Sequence, residues 1–326
     1  MLQVSYSTFN DNAIGVYISR EYNIGELICC NFISRGMNDT YVIETTIGKY
    51  VFRVYRSNWR SKYSEILFEI DLLNHLSRTS LNVSLPIKSI HDNYVQKLIA
   101  PEGNRFGVLF TLVEGVPLQL DNIEICYLFG EEAAKLHLYS NSFQSSYEKA
   151  NIDIEFLIDA PLDILKKHLS KRQSELHYFM NIGSYLRDRI MELRNIDWGI
   201  CHGDLHGYNA HIQGKRIANF DFDLCGFGWR AYDLAVFKFT LDLSDSNKDK
   251  KAQQWAAFLE GYQKTRKLNR NDIEAIPIFI GVRRLWLMSL SLEYFRDLDI
   301  TGSINAEENY IRDELLGFDV ILQNLK

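Results

Sequence analysis

The sequence is poor in cysteine, and its few cysteines do not form a binding pattern. There are five, an odd number, and none of them belongs to a C-x-x-C pair. Structural zinc sites and disulfide frameworks use paired cysteines, so neither is expected in this chain. The pattern favours a protein of the reducing cytoplasm.

The sequence also lacks a basic tract and an uninterrupted apolar run of membrane-spanning length. The formal net charge is −6, which argues against nucleic acid as the main partner. The apolar stretch 276–292 contains Arg283 and Arg284, which makes it a poor membrane span. Residues 1–6 have neither the basic nor the apolar region of a signal peptide. We therefore predict no nucleic-acid partner, no membrane partner and a cytoplasmic location.

The length and the apolar content of the chain are sufficient for more than one hydrophobic core. The chain has 326 residues, of which 46% are hydrophobic and 24% are charged. A single core rarely extends over so long a chain, so two lobes are expected.

One stretch concentrates side chains that bind metals or accept protons. Residues 201–209 read CHGDLHGYN, and Asp221 and Asp223 follow shortly after. Asp204 and Asn209 have the Asp-x4-Asn spacing of a kinase catalytic loop, in which the Asp accepts the hydroxyl proton and the Asn holds a metal ion. Mg²⁺ prefers oxygen ligands, which Asn209 and Asp221 supply. Each residue alone is also typical of a polar surface loop, so the prediction depends on their order.

These motifs resemble those of the aminoglycoside phosphotransferase and choline kinase superfamily. The resemblance is carried by HGD at 202–204 with Asn209, FDFD at 220–223 and GWRAYDLA at 228–235, and it is nearest to the type II homoserine kinases and the bacterial stress-response kinases. The family's usual His-Pro-Gly-Asn reads HGYN at 206–209, without the proline.

The resemblance implies a fold and a division of the chain. The fold class is α+β, a bilobal protein-kinase-like fold with an N-terminal antiparallel sheet and helix and a larger, mainly helical C-terminal lobe. Residues 1–113 would form the nucleotide-binding lobe and residues 114–326 the catalytic and substrate lobe, with a hinge at about 110–117.

The resemblance also implies roles for single residues. Asp204 would be the base, and Asn209 and Asp221 would hold Mg²⁺. Asp223 is interpreted in two ways, as a ligand of a second metal or as a hydrogen-bonded turn residue. Arg53 stands where the family usually has a lysine that contacts the α and β phosphates, and a guanidinium can still grip phosphate.

Further residues are predicted to contact the nucleotide, ATP or GTP. Glu69 matches the helix glutamate that pairs with the strand cation, although a solvated helix flank is the alternative. Ser34 and Asn38, in the turn over the phosphates, could donate to phosphate oxygens. The hinge backbone at Thr111 and Val113 would bond the adenine edge, although this segment also fits a plain core strand.

Hydrophobic periodicity supports this arrangement of elements. A helix is expected to end near 22–25, and strands are expected at 28–33, 40–46 and 50–55, with turns rich in Gly and Asn between them. A helix at 64–78 shows an apolar stripe. Further strands are predicted at about 89–90, 94–99 and 106–112.

The C-terminal two thirds of the sequence read as mainly helical. A capping box, Asp121-x-x-Glu124, predicts a helix start, and a final helix is expected from 305 to 325. His137 and Asp233 are interpreted as structural, with Asp233 tying a helix to the loop at 201–209. Cys201 is interpreted as a small buried residue and not as a nucleophile.

The predicted function is phosphoryl transfer from ATP to the hydroxyl of a small molecule, such as an amino alcohol, a homoserine-like or an aminoglycoside-like compound. A Ser/Thr protein kinase and a nucleotide-binding pseudokinase are the alternatives. A cationic acceptor would need an acidic patch, for which Glu293, Asp297 and Asp299 are candidates. An anionic acceptor would need cations, for which Arg283 and Arg284 are candidates.

Overall fold

The structure is a computed structural model that describes residues 4, 6–59, 62–294 and 306–325. The chain divides into two compact units. The first comprises Met1–Val116, Phe143–Lys149 and His211–Asp223, and the second comprises Pro117–Ser142, Ala150–Ala210 and Leu224–Lys326. The predicted lobe boundary at 113/114 remains a prediction, and the first unit contains two later segments in addition to the N-terminal part.

Most strands lie in the first part of the chain, and most helices lie in the second part. The strands are β1 (Leu27–Arg35), β2 (Asn38–Thr45), β3 (Gly48–Tyr55), β4 (Asn82–Val83), β5 (Pro86–Ile87), β6 (Val95–Ala100), β7 (Gly103–Thr111), β8 (Val116–Pro117), β9 (Trp198–Cys201), β10 (Ala210–Gln213), β11 (Arg216–Asn219) and β12 (Gly226–Trp229). The helices are α1 (Asp11–Glu21), α2 (Tyr63–Leu76), α3 (Ile123–Tyr139), α4 (Ala160–His168), α5 (Gln173–Glu192), α6 (Arg230–Asp242), α7 (Lys248–Thr265), α8 (Arg270–Tyr294) and α9 (Ala306–Asn324).

The first unit is built on an antiparallel sheet in the order β1-β2-β3-β7-β5, with β6 also paired to β7. Tight turns join β1 to β2 and β2 to β3, which confirms the predicted meander. Strand β2 alternates buried and half-buried residues, as a strand with one face on a core does. Helix α1 covers this face with Ile14 and Ile18, which pack in one cluster with Phe52.

A short hairpin, β10–β11, supplies the later part of the first unit. Strand β11 pairs with β10 and, in parallel, with β4. The turn lies at Gly214, whose φ of 64° suits glycine, as the sequence predicts. Directly after the hairpin, Asp221 has a φ of 63°. A positive φ is uncommon for a residue with a side chain and is found more often at functional sites.

The second unit is mainly helical. Strands β9 and β12 form an antiparallel pair that places Cys201 opposite Gly226. Helix α8 is long and apolar enough to span a membrane, but 67% of its most apolar window is buried inside the protein. It is therefore a core helix, as the charges at Arg283 and Arg284 suggest. A π-helical turn, Glu155–Asp159, leads into α4.

Two local predictions are wrong. Residues 89–90 form no strand, because Ser89 and Asn93 close a turn through a backbone bond of 2.9 Å. The cap of α3 is Asn122, whose side chain accepts from the Glu124 amide, so the capping box at Asp121 is shifted by one residue.

Candidate active site

Arg53 lies on the central strand β3 and is held by two carboxylates. Its Nη1 is 2.7 Å from Glu69 Oε1 on α2, and its Nη2 is 3.0 Å from Asp221 Oδ1. The Arg53 side chain is 11% exposed, whereas that of Asp221 is 47% exposed. Burial would lower the pKa of the guanidinium, but the two carboxylates outweigh burial and raise it well above its usual range. Arg53 is thus a permanent cation, with Asp221 on its exposed side.

Glu69 is the buried partner in this group. Its second oxygen accepts a hydrogen bond of 2.9 Å from the Tyr55 hydroxyl. Burial and the Glu69 charge together raise the pKa of Tyr55 well above its usual range, so this hydroxyl remains a donor. Both carboxylate oxygens of Glu69 are therefore satisfied, as a charge that is 1% exposed requires.

A cavity of about 320 Å³ opens on the same face of the first unit. Arg53, Asp221, Ser34, Thr111, Val113 and His211 contribute to its lining. Apolar side chains of β2, β3 and β7 line it as well. A cavity of this size with apolar walls and a few convergent polar groups is typical of a small-molecule site.

The predicted hinge residues lie at the edge of this cavity. The Thr111 amide donates to Leu85 O at 2.8 Å, and Thr111 O accepts from the Ser84 hydroxyl at 2.7 Å. Val113 O lies 3.3 Å from His211 Nδ1. The Thr111 N–H is therefore committed within the protein, so the backbone group of Thr111 that can still bond a base edge is its carbonyl, through the remaining lone pair.

Asn38 and Asp223, two of the predicted site residues, contact one another. Asn38 Nδ2 donates to Asp223 Oδ2 at 2.9 Å, and both side chains are buried. The same oxygen accepts from Trp59 Nε1 at 2.9 Å. Ser34 lies on β1, on the other side of the turn from Asn38, and its side chain is exposed.

In the second unit, the loop after β9 is fixed through its backbone. The amides of His202 and Gly203 donate to the two carboxylate oxygens of Asp233 at 2.7 and 2.8 Å. His137 Nε2 lies 3.0 Å from Asp233, and its Nδ1 lies 2.8 Å from the Tyr262 hydroxyl. Asp233 and His137 are both fully buried, which agrees with the structural roles predicted for them.

Gly203 is the residue that lets this loop turn. Its φ is 82°, and a Cβ at this position would lie 2.3 Å from Leu224 O. Only glycine fits both conditions, because a side chain would meet backbone. Cys201, which precedes the loop, is fully buried, and burial raises the pKa of its thiol well above the usual range. It is therefore a poor nucleophile.

Asp204, the predicted base, is surrounded by cationic and donor groups. One oxygen bonds Arg283 Nη2, and the other accepts from Asn209 Nδ2 at 3.0 Å and lies 3.3 Å from His206 Nε2. Burial alone would raise the pKa of this carboxyl, but Arg283 and then His206 hold it well below its usual range. The carboxylate is therefore ionised throughout the neutral pH range.

Arg283 comes from α8 and is only 5% exposed. Its Nη1 lies 3.4 Å from the Tyr232 hydroxyl, and its guanidinium carbon lies 5.0 Å from the centre of the Trp286 ring. Its Nε has no hydrogen-bond partner among the residues that the structure describes. The side chain is thus committed mainly to Asp204.

The other residues considered for acceptor binding are also paired where they are described. Arg284 Nε lies 2.7 Å from Glu314 Oε2. Glu293 lies 2.9 Å from Lys167 and 2.7 Å from His168. Asp297 and Asp299 lie outside the described residues, as do residue 305 of the predicted final helix and most of residues 1–6.

The residues predicted to hold Mg²⁺ have suitable ligand atoms. Asn209 turns its amide nitrogen to Asp204 at 3.0 Å, which leaves its carbonyl oxygen as the ligand atom. Asp221 presents a half-exposed carboxylate. Both are hard oxygen donors of the kind that Mg²⁺ binds. Among the described residues, no cluster of three or more His, Cys, Asp and Glu side chains could hold a metal by itself.

Sequence reasoning missed two partners. Nothing near Trp59 in the sequence pointed to Asp223, which is 164 residues away. Arg283 was interpreted as a charge within an apolar run and as a candidate cation for an anionic acceptor, and not as a partner of Asp204. That observation could have been used, because a cation on the apolar face of a core helix needs a buried anionic partner.

The chain matches known phosphotransferases over most of its length. The profile of the phosphotransferase enzyme family, APH, matches residues 30–268. The Synechocystis sp. protein sll1119, described as uncharacterized, is 31% identical over 293 residues, which cover 88% of this chain and 80% of that protein. Homoserine kinase from Methylorubrum populi is 26% identical over 282 residues, which cover 84% of this chain and 82% of that enzyme.

The fold also matches a solved structure. Amicoumacin kinase hAmiN, in complex with AMP-PNP, Ca²⁺ and Ami, superposes with a TM-score of 0.78 at 19% identity, covering 94% of this chain and 93% of that one. This confirms the predicted kinase-like α+β fold. The chain belongs to the APH phosphotransferase enzyme family, and it is a phosphotransferase that acts on a hydroxyl acceptor.

Proposed function

We propose that this chain transfers the γ-phosphate of ATP to a hydroxyl of a small molecule, with Asp204 as the base. The observation that carries this proposal is the state of Asp204. Arg283 and Asn209 bond its carboxylate, and Asp233 accepts a hydrogen bond from the Gly203 amide of the same loop. A loop residue that is held by several partners in this way has a fixed position, as a group that orients a substrate requires.

Asp204 orients the acceptor hydroxyl and receives its proton. As the hydroxyl oxygen bonds to the γ-phosphorus, the bond between that phosphorus and the bridging oxygen breaks, and ADP leaves with the electron pair. The low pKa of Asp204 makes it a weak base, so it takes the proton late, after the new bond has begun to form. Orientation is then its larger contribution.

Arg53 grips the phosphates of ATP from the first unit. Its guanidinium is held by Glu69 from behind and faces the cavity beside Asp221. This arrangement leaves a fixed positive charge where phosphate oxygens would lie. Ser34, Thr111 and Val113 complete the proposed nucleotide site, with GTP as the alternative nucleotide.

Mg²⁺ would be held by Asn209 and Asp221 and would neutralise negative charge on the phosphates. The hAmiN structure was obtained with Ca²⁺, so a divalent cation accompanies the nucleotide analogue in that protein.

The acceptor that we propose is an amino alcohol, a homoserine-like compound or an aminoglycoside-like compound. Relatives named homoserine kinase support the second class. Neither described candidate patch decides the class, since Arg283, Arg284 and Glu293 are all paired within the protein. We also propose a cytoplasmic location and a lobe boundary near residue 113.

Transfer of labelled phosphate tests the proposal. The protein is incubated with Mg²⁺ and γ-labelled ATP against a pool of amino alcohols, amino acids with hydroxyl groups, amino sugars and denatured proteins. The Asp204→Asn variant removes the base, and Asp163→Asn, at a carboxylate 72% exposed on α4, is the matched control. Label is expected in a small molecule with the wild type and the control and to fall about 100- to 10,000-fold with Asp204→Asn.

Other outcomes lead to different conclusions. Label in the protein fraction alone would indicate a Ser/Thr protein kinase. ATP binding without any transfer would favour a pseudokinase. Transfer that survives Asp204→Asn undiminished would remove Asp204 as the base.

A further inference from the structure

The carboxylate of Asp223 joins two turns of the first unit. One of its oxygens accepts hydrogen bonds from Asn38 Nδ2 and from Trp59 Nε1, each 2.9 Å long. Asn38 begins β2 directly after the β1–β2 turn, and Trp59 lies in the turn after β3. Residues that are 164 and 185 positions away from Asp223 in the sequence therefore meet at one atom.

Asn38 also makes hydrogen bonds to residues in and near the β1–β2 turn. Its Oδ1 accepts from the Arg56 amide at 3.3 Å, and its backbone carbonyl accepts from the Gly36 amide at 3.1 Å. The Gly36 carbonyl accepts in turn from Arg56 Nη2 at 3.4 Å. The Asn38 backbone thus bonds the turn directly, and the Asn38 side chain joins Asp223 to Arg56, whose guanidinium also bonds the turn.

Sequence neighbours of these groups contribute to the cavity lining. Ser34 and Thr40, which flank the turn, are lining residues, and so is Asp221, two residues before Asp223. A bond between Asn38 and Asp223 therefore joins two segments that each supply residues to the cavity wall. Loosening it would let the turn move relative to Arg53 and Asp221.

Asp223 is poorly suited to bind a metal itself. It is 4% exposed, whereas the Asp221 side chain is 47% exposed. Two donors already bond one of its oxygens, and Lys149 Nζ bonds its backbone carbonyl at 2.6 Å. A metal bound at that oxygen would have to displace buried donors, which would leave them unsatisfied at a cost.

We propose that Asp223 is a positioning residue that fixes the β1–β2 turn over the nucleotide phosphates through Asn38 and Trp59. This inference rests on the proposed function, because it takes the cavity as the nucleotide site. It also decides between the two interpretations that the sequence left open for Asp223, in favour of the hydrogen-bonded one.

Binding of ADP without metal is the direct test. The affinity is measured by calorimetry in EDTA and again in Mg²⁺, for wild type, Asp223→Ala, Asp223→Asn and the control Asp163→Ala. Asp223→Ala is expected to weaken ADP binding about 10- to 100-fold in both buffers, since it removes two charge-assisted bonds. Asp223→Asn keeps an acceptor oxygen and should restore binding to within about 5-fold of wild type.

Partner variants test the same link with Asp223 intact. Asn38→Ala should weaken ADP binding about as much as Asp223→Ala, and adding it to Asp223→Ala should cost little more, because both remove one interaction. Trp59→Phe should have a smaller effect. In turnover, KM for ATP should rise in Asp223→Ala, while KM for the acceptor should stay near the wild-type value.

Several results would overturn the inference. Asp223 would be a metal ligand if Asp223→Ala and Asp223→Asn weakened ADP binding equally in Mg²⁺ and both bound ADP normally in EDTA. Full additivity of Asn38→Ala and Asp223→Ala would show that the two residues act separately. Should Asp223→Ala fail to fold, Asn38→Ala and Asp223→Asn carry the same comparison. A wild type that binds no ADP in either buffer would instead refute the proposed function and this inference with it.

Discussion

The first and second units each contain a buried arginine–carboxylate pair, and the two pairs are built in opposite senses. In the first unit an arginine, Arg53, is held by two carboxylates. In the second unit a carboxylate, Asp204, is held by an arginine and by donors from His206 and Asn209. In both cases burial opposes the charge and the partners outweigh it.

The difference between the pairs shows which charge each unit is built to maintain. Arg53 faces the cavity with its exposed side, while its partner Glu69 is 1% exposed. Asp204 is the more exposed member of its pair, at 21% against 6% for the Arg283 side chain. In the proposed function, the more exposed member of each pair meets substrate and the more buried member supports it. Of the pair Arg53–Glu69 the cation is the more exposed member, beside the half-exposed carboxylate of Asp221, and of the pair Asp204–Arg283 it is the anion.

Among the substitutions that test this comparison, removal of the cation in the first unit should have the largest effect. Arg53→Gln is expected to lower kcat/KM for ATP by about 100- to 1,000-fold, because it removes a fixed charge at the phosphates. It should also destabilise the fold by about 3–5 kcal/mol, since Glu69 is left as a buried, unpaired charge. Arg53→Lys should recover little, as one ammonium cannot reach both Glu69 and Asp221 as the two nitrogens do.

A double variant separates the two effects of Arg53→Gln. Adding Glu69→Gln removes the unpaired charge, so thermal unfolding should return towards that of the wild type while kcat/KM for ATP stays low. Arg270→Gln, at a side chain 89% exposed on α8, is the matched control for loss of a guanidinium. If the double variant regained activity together with stability, Arg53 would be a structural residue only.

In the second unit, removal of the supporting cation should affect turnover and not nucleotide binding. Arg283→Met is expected to lower kcat about 10- to 100-fold, because Asp204 loses a charge-assisted bond that fixes its orientation. KM for ATP should change little. Arg283→Lys should recover part of kcat, since one ammonium can bond the single oxygen that Arg283 contacts. An increase in KM for ATP with unchanged kcat would contradict this role and the comparison between the pairs.

Sequence reasoning located contacts between segments that are close in the sequence better than contacts between distant ones. Asp204 and Asn209 are five residues apart in one loop, and the family resemblance paired Arg53 with Glu69, which lie on a strand and the helix after it. Asp204 with Arg283 and Asp223 with Asn38 join segments 79 and 185 residues apart. Such contacts depend on how helices and turns pack, which hydrophobic periodicity does not encode.

A similar limit applies to the local errors. Asp121 and Asn122 are both good helix caps, and only the backbone decides which side chain reaches the Glu124 amide. Residues 89–90 have strand-like composition, but the backbone bond between Ser89 and Asn93 turns the chain. In both places, neighbouring residues offered two acceptable local structures, and the path of the backbone selected one.

Glu132 is a buried carboxylate without a guanidinium partner, and it completes the comparison. Its substitution should have the smallest effect. Glu132, on α3, is 7% exposed, and Lys135 Nζ lies 3.5 Å from it. Here burial outweighs the attraction of Lys135 and raises the pKa of Glu132 to about 7. The contrast with Asp204 indicates that Arg283 and His206 together outweigh burial at Asp204, whereas Lys135 alone does not outweigh it at Glu132.

The pH dependence of stability tests this contrast. Between about pH 4.5 and 7 the folded state keeps the Glu132 proton while the unfolded state loses it, so stability falls as pH rises through this window. Glu132→Gln should therefore match wild type at pH 4 and be more stable by roughly 1–3 kcal/mol at pH 8 in urea unfolding. Glu260→Gln, at an exposed position on α7, should show no such difference. A gain of Glu132→Gln that is the same at both pH values would mean that Glu132 is already ionised in the folded protein, and that Lys135 keeps its charge as Arg283 keeps that of Asp204.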